Sequence, residues 1–257
     1  MSMRIGIIGV GEIASAMVEG ACSTTDHPDF FLSPRNAERS AGLADEFDGV
    51  KVCDSNQDVV DRSEYIILAV LPEQTETVLS ELDIPSDRTI ISAVAGVATK
   101  ALAQLLPQSP TVVRVIPLPP VRERRGVTPV FPAHAVVEEF FDTLGGTVVA
   151  ESEELFSTLS GTTATMSSYY AYLQGIADWL VVQGWERTDA ERIVRGQFAG
   201  LGNTLATTDT SFSDLVAGHE TPGGLNEMLH REWMDEDNRA ALSSALDRIF
   251  ERVTKAD

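Results

Sequence analysis

Lysine is almost missing from this chain. Lys51, Lys100 and Lys255 are the only three in 257 residues, and arginine supplies most of the positive charge. Against 19 basic side chains stand 39 carboxylates, for a formal net charge of -20. So acidic a chain repels phosphodiester backbones and anionic bilayers, which argues against a nucleic-acid or membrane-surface partner. The "RERR" stretch from Arg122 to Arg125 is short and isolated, and does not make a basic patch. Cysteine is scarce too. Cys22 and Cys53 alone cannot build a disulfide framework or a thiolate metal cluster, and two buried free thiols suit a reducing, cytoplasmic compartment. His27, His134, His219 and His230 lack ligand spacing, so no metal is expected. No apolar run approaches the roughly 18 residues of a membrane span. The first residues, one arginine and a broken apolar run, do not read as a signal peptide.

What is present is a rhythm. β-rich runs occur at "RIGIIGV", "FFLS", "VKVC", "YIILAV", "TIISAV" and "TVVRVI". Helical patterns separate them, from Ile13 to Ala21, Ala37 to Phe47, Gln57 to Arg62, Glu73 to Leu82 and Thr99 to Leu106. Alternating strands and helices predict a mostly parallel sheet with helices on both faces. After the prolines at Pro117, Pro119 and Pro120 come one more extended stretch, a helix and an edge strand, "GTVVAES". The α/β domain is expected to span 1–152.

From 153 to 257 the β-rich bursts stop and helical patterns take over. Ser167 to Trp185 is apolar on most faces, which predicts burial on most faces and hence a partner subunit. Thr188 with Glu191 reads as a capping box for the next helix, out to about Leu205. "TDTSFSDLVAGHETPGG" reads as polar and turn-rich, and one or two last helices cover Leu225 to Val253.

The first strand runs into Gly9-x-Gly11-x-x-Ala14, after Gly6 and Ile7, and a helix pattern follows. This order suits dinucleotide binding. Gly9 permits the tight turn, Gly11 leaves room for a pyrophosphate, and Ala14 lets helix and sheet pack closely. Val10, Glu12 and Ile13 share the turn, and the helix start offers unpaired N–H groups to phosphate. The second strand ends in "FFLSPRNAE", with no carboxylate for a ribose diol. Ser33, Pro34 and Arg35 stand there instead, and a cation suits a 2'-phosphate, so NADPH is expected over NADH. The alternative for Arg35 is a solvent-facing residue at a helix start. "AVLPEQ" (with Ala69, Val70, Leu71 and Pro72) and "SAVAGV" (with Ala95 and Gly96) lie at strand exits, where small residues admit a flat ring. Either could be plain turn chemistry.

Taken in order, these landmarks resemble the pyrroline-5-carboxylate reductases. The glycine turn, "SPRN", Asn56, "AVLP" for the family's "AVKP", "SAVAG", "RVIPLPP" for "RVMPNTP", "TLSG" from Thr158, and "HETPGGLNE" for "VTSPGGTTI" are all traceable. The resemblance implies an α/β Rossmann-type N-terminal domain with a parallel-rich sheet, followed by an all-helical dimerisation domain. It implies a homodimer through that domain, with larger rings in some members. It also implies NADPH, with Asn56 at the cofactor, and reduction of the C=N bond of a small cyclic imine. The substrate carboxylate is expected near Pro222, Gly223 and Gly224. Thr221 reads as a cap for that helix, with Pro222 in its first turn and the glycines leaving bare amides.

Departures gather at the substrate end. Leu118 and Pro119 replace the family's asparagine and threonine, Leu225 and Asn226 replace two threonines, and Leu71 replaces a lysine. Asn226 can donate a hydrogen bond, but an amide is a poor proton relay. His219 and Glu220 are the new polar candidates for proton transfer, against readings as a loop surface residue and a helix-dipole partner; with Asn226 and Thr221 they make the candidate catalytic set, and Leu118 joins Pro222, Gly223 and Gly224 as a candidate substrate contact. Two rivals stay open: a reductase of another imine or a carbonyl on the same scaffold, and a non-catalytic NADP(H)-binding regulatory protein.

Overall fold

The computed structural model describes residues 3–254, which divide into a first unit, running to Thr158 and including Val253 and Thr254, and a second from Leu159 to Arg252. In the first unit, β1 (Arg4–Ile8), β2 (Asp29–Leu32), β3 (Val50–Val52), β4 (Tyr65–Leu68), β5 (Thr89–Ser92), β6 (Thr111–Val115), β7 (Thr128–Phe131) and β8 (Thr147–Val149) form one sheet. Its order is β3-β2-β1-β4-β5-β6-β7-β8, parallel throughout except for the antiparallel β6–β7 pair. α1 (Glu12–Cys22), α2 (Ala37–Glu46), α3 (Asn56–Arg62), α4 (Thr75–Ser80), α5 (Thr99–Gln104) and α6 (Ala135–Asp142) cover it.

The central strands β1, β4 and β5 are buried on both faces, which is why they read as continuous apolar runs. Ile5, Ile7, Ile67 and Ile91 join one core with Met17 and Phe141. Their neighbours Ile8, Ile66 and Ile90 join the opposite core with Val59, Val78 and Leu102. Gly6 lies in β1 where a side chain would strike Val59 and Ser63, so its bareness seats α3 on the sheet. Strand order reverses between β1 and β4, so their carboxyl ends frame the crevice where open α/β sheets take ligands.

Arg114, 4% exposed on β6, meets the start of α7 (Glu153–Thr163). Glu153 accepts from Arg114 Nη1 at 2.8 Å, from the Thr99 amide at 2.6 Å and from the Thr99 hydroxyl at 2.8 Å. The guanidinium also lies 4.8 Å from the centre of the Phe156 ring. These bonds hold the first turn of α7 to the sheet unit, and the division of contacts falls inside that helix, beyond the boundary at 152 read from the sequence.

The second unit contains α8 (Thr165–Val182), α9 (Arg187–Thr207), α10 (Phe212–His219), α11 (Leu225–Trp233) and α12 (Glu236–Thr254). Its own core is small: Ala177, Ala190 and Val194, with Leu173, Ile176, Leu180 and Phe198 partly buried around them. The apolar α8 buries only Ala177 within the single chain, and Tyr170 and Val182 stand 70% and 80% exposed, which leaves its expected burial to a partner subunit. Two other sequence expectations change here. Thr188 does not cap α9, which begins one residue earlier with Glu186 at its N-cap. The stretch read as turns contains α10, started by Ser211, whose hydroxyl accepts from the Asp214 amide at 3.2 Å. Among the described residues no helix is long and apolar enough to cross a membrane.

Candidate functional site

The glycine turn closes the end of β1. Gly9 has φ +96°, a conformation that favours glycine, and a Cβ there would lie 2.5 Å from the Ala69 carbonyl oxygen. The residue is therefore glycine for two reasons, backbone conformation and close approach to β4. Gly11 is the N-cap of α1 and offers no capping side chain, and nothing lies within 4 Å of where its Cβ would be. The first helical bond runs from the Ser15 amide to the Gly11 carbonyl at 3.0 Å. The amides of Glu12, Ile13 and Ala14 precede it and have no carbonyl within the helix. Bare donors, an open approach and the positive end of α1 are the features that anion binding at a helix start requires.

The end of β2 is tied to this turn. Ser33 is buried, and its hydroxyl accepts from the Gly9 amide at 3.1 Å. Asn36 donates to the Val10 carbonyl at 3.0 Å, and the Ser40 hydroxyl donates to the Ser33 carbonyl at 2.9 Å. Arg35 is exposed beside them, and its guanidinium makes no ion pair among the described residues. Glu12, by contrast, is held by two cations: Arg39 at 2.8 Å and Arg122 at 2.7 Å. Arg122 and Arg39 keep its carboxyl below the usual glutamate range.

In the second unit, Thr221 to Gly224 form a tight turn. The Gly224 amide donates to the Thr221 carbonyl at 2.7 Å, and Gly223 has φ +74°. Proline followed by a positive-φ glycine fits the centre of a type II turn. α11 starts after it, with Gly224 at the N-cap and no side-chain cap. A Cβ on Gly224 would lie 2.8 Å from both the carbonyl and hydroxyl oxygens of Thr221. Three side chains pin the turn: Asn226 donates to the His219 carbonyl at 2.9 Å, His230 Nδ1 meets Glu220 at 2.6 Å, and Glu227 accepts from the Gly223 amide at 2.5 Å. The amides of Leu225, Asn226 and Glu227 remain as the open end of α11.

A family model described as NADP oxidoreductase coenzyme F420-dependent matches residues 4–96, and one described as pyrroline-5-carboxylate reductase dimerisation matches residues 153–256. The pyrroline-5-carboxylate reductase of Corynebacterium melassecola is 26% identical over 266 residues, covering 96% of this chain and 96% of that protein. Pyrroline-5-carboxylate reductase 3 of Xenopus laevis is 27% identical over 268 residues, covering 98% and 96%. The crystal structure of 1-pyrroline-5-carboxylate reductase from Streptococcus pyogenes superposes with a TM-score of 0.78 at 27% identity, covering 98% of each chain. Over nearly its whole length the chain is similar to pyrroline-5-carboxylate reductases, and its second half carries their dimerisation domain.

The residues read in the sequence as cofactor contacts fall into a buried set and an exposed set. Gly6 and Ile7 are interior to β1, where they serve packing. The Val10 side chain is likewise in the core, and only its backbone faces the turn. The Ser33 hydroxyl is committed to Gly9, which leaves Arg35 as the exposed donor of the ribose loop. Pro34 sets the bend between them. Asn56 opens α3 behind the Ser55 cap, partly buried. Ala69 and Val70 are partly buried at the β4 exit, whereas Leu71 is 57% exposed and Pro72 begins a short 3-10 turn. Ala95, exposed, and Gly96, partly buried at φ +67°, form the turn after β5. Leu118 is partly buried ahead of the 3-10 turn Pro119–Glu123.

In the second unit, Thr221 does not cap a helix and Pro222 lies outside one, because the turn needs both residues before α11 can begin. His219 bonds the Leu215 carbonyl of its own helix at 2.8 Å, so the histidine that reaches the turn is His230. The pattern missed His230, Glu227, Arg39 and Arg122. The i, i+4 spacing of Asn226 and His230 was a signal for two of these contacts' shared helix face. Arg122 lay far from Glu12 in sequence and gave none. Cys22 and Cys53 are free, their thiols pushed up by burial to about 11 and about 12, so neither is poised as a nucleophile.

Proposed function

We propose that this protein reduces the C=N bond of a small cyclic imine carrying a carboxylate, with pyrroline-5-carboxylate as substrate and NADPH as hydride donor. The observation that carries the reading is the uncovered start of α1 at Gly11, joined to a ribose loop that offers an arginine and no carboxylate. The residues present fit the cofactor: the amides of Glu12, Ile13 and Ala14 suit its pyrophosphate, and Arg35 its 2'-phosphate. Ala69, Val70, Leu71 and Pro72, with Ala95 and Gly96, suit the ring-side end, and Asn56 can bond its ribose or phosphate. When bound, the cofactor would supply hydride from C4 of its nicotinamide to the imine carbon, with the nitrogen carrying or taking one proton, to leave NADP+ and a secondary amine.

The chain's own part is binding and orientation. The amides at the start of α11 take the substrate carboxylate, and the turn of Thr221, Pro222, Gly223 and Gly224 fixes their direction. Glu220 and His230 clamp that turn from below, and Asn226 braces it. Leu118 offers an apolar wall for the ring. The relatives' family name and the dimerisation model support a homodimer through residues 153–257, with the dinucleotide domain in residues 1–152. Both sets of unpaired thiols suit a reducing cytoplasm.

A panel of imines tests the reading. Purified protein with NADPH should consume the cofactor faster with pyrroline-5-carboxylate than with imines lacking a carboxylate. NADPH consumption only with a carboxylate-free imine or a ketone would move the function to another substrate on the same scaffold. NADPH binding with no consumption by any member would sink the enzyme reading.

A further inference from the structure

Glu12 is an odd neighbour for a pyrophosphate. It is the first residue of α1, beside the amides that the proposed dinucleotide site offers, and it carries the charge of the ligand it adjoins. The structure gives it two partners from different elements. Arg39 reaches it from α2 at 2.8 Å, and Arg122 from the 3-10 turn Pro119–Glu123 at 2.7 Å. Arg122 also holds Glu19, about two turns further along the same face of α1, at 2.5 Å. The two arginines and two carboxylates cancel, so the cluster adds no net charge to the mouth of the site.

The two arginines are not held alike. Arg122 is shared between two carboxylates, and its turn is wedged on α1: the Val121 carbonyl sits where a Gly20 side chain would be. Arg39 has the single bond to Glu12 and keeps 39% of its side chain exposed. It follows Arg35 by four residues, and its neighbour Ser40 is anchored to the Ser33 carbonyl, which fixes the start of α2 against the ribose loop. Arg39 is thus the cation that a phosphate can draw away, while Arg122 stays to neutralise Glu12.

We infer that Glu12 is a resident anion that occupies Arg39 when no dinucleotide is bound, and that the 2'-phosphate takes Arg39 from it as a second cation beside Arg35. The inference rests on the dinucleotide reading above. It makes Glu12 a competitor of the ligand: its charge lowers NADP+ affinity, and Arg39 carries part of the preference over NAD+.

Calorimetric titration of NADP+ and NAD+ into wild type, Glu12→Gln, Arg39→Gln and the double variant tests it, with thermal melts to check folding. Glu12→Gln is expected to tighten NADP+ by roughly three- to tenfold, because Arg39 no longer has to leave a carboxylate. Arg39→Gln is expected to weaken NADP+ about tenfold and NAD+ by less than about threefold. The double variant should lose the gain of the first. Unchanged or weaker NADP+ binding by Glu12→Gln, with only a lower melting temperature, would make Glu12 a helix-start residue and overturn the inference. Equal losses for both dinucleotides in Arg39→Gln would overturn it too, and leave the dinucleotide reading standing. Failure of wild type to bind either dinucleotide would overturn that reading and this inference with it.

Discussion

Gly9 shows how one residue can be fixed by two separate physical demands. Its φ of +96° asks for glycine, and so does the Ala69 carbonyl, which would sit 2.5 Å from any Cβ. Gly9→Ala should therefore cost roughly 1–3 kcal/mol in stability, read by chemical denaturation, and should weaken dinucleotide binding more than that loss explains. Arg35 has a narrower task. Arg35→Ala should raise the KM for NADPH about tenfold or more and that for NADH far less, and equal rises would remove Arg35 from the 2'-phosphate. Glu153 gives a pH test. Burial pushes its carboxyl up, but the Thr99 amide and hydroxyl and Arg114 outweigh that, and the net pKa falls below 4.5. A lowered folded pKa means the stabilisation is complete above about pH 4.5 and is lost as pH falls through the folded value. Glu153→Gln should cost roughly 2–3 kcal/mol near neutral pH, because Arg114 is then buried without its counter-charge. It should also flatten, without abolishing, the loss of stability on acidification, since Glu12 and Asp58 are lowered as well. An unchanged acid limb would contradict the assignment.

At the scale of elements, the turn before α11 governs the site proposed for the substrate carboxylate. Gly224→Ala would press a methyl group against Thr221, so it should raise the KM for a carboxylate-bearing imine several-fold while leaving the KM for NADPH in place. A matching rise for NADPH would show a wider collapse of the fold. This turn also marks the limit of reading from sequence. Proline followed by two glycines announced a helix start, because proline at the first helical position is common. The same residues serve a type II turn equally well, and only the bond from Gly224 to Thr221 decides between them. α10 was missed for a related reason: serines, threonines and aspartates in a row resemble a loop, although Ser211 and Asp214 also make a good helix start. By contrast, the βα succession and the glycine turn were legible, since each strand and its following helix carry their own local pattern. The Glu12–Arg122 pair and the Arg114–Glu153 pair join residues far apart in the chain, and no local pattern encodes them.

The whole molecule has two properties that individual sites do not show. The helical unit buries few of its own apolar side chains, and Tyr170, Val182 and Phe212 are 70%, 80% and 78% exposed. Such a surface calls for a second copy to cover it. Val182→Glu combined with Tyr170→Glu should shift the mass measured by light scattering from dimer toward monomer, and an unchanged dimer would place the interface elsewhere. The net charge of -20 is the second property. Self-repulsion of a compact acidic chain is screened as the Debye length shrinks from about 10 Å at 0.1 M salt to about 3 Å at 1 M. The Tm should rise by roughly 5 °C over that range, while NADPH binding loosens, because the same screening weakens Arg35 against a phosphate. The claim on which the rest depends is that phosphate rests on the bare amides after Gly11. The most direct measurement is a fluorescence titration with NADPH and NADH, in wild type and Gly9→Ala. Saturable binding, tighter for NADPH and largely lost in the variant, is the expected result; saturation by neither dinucleotide up to about 1 mM would contradict it.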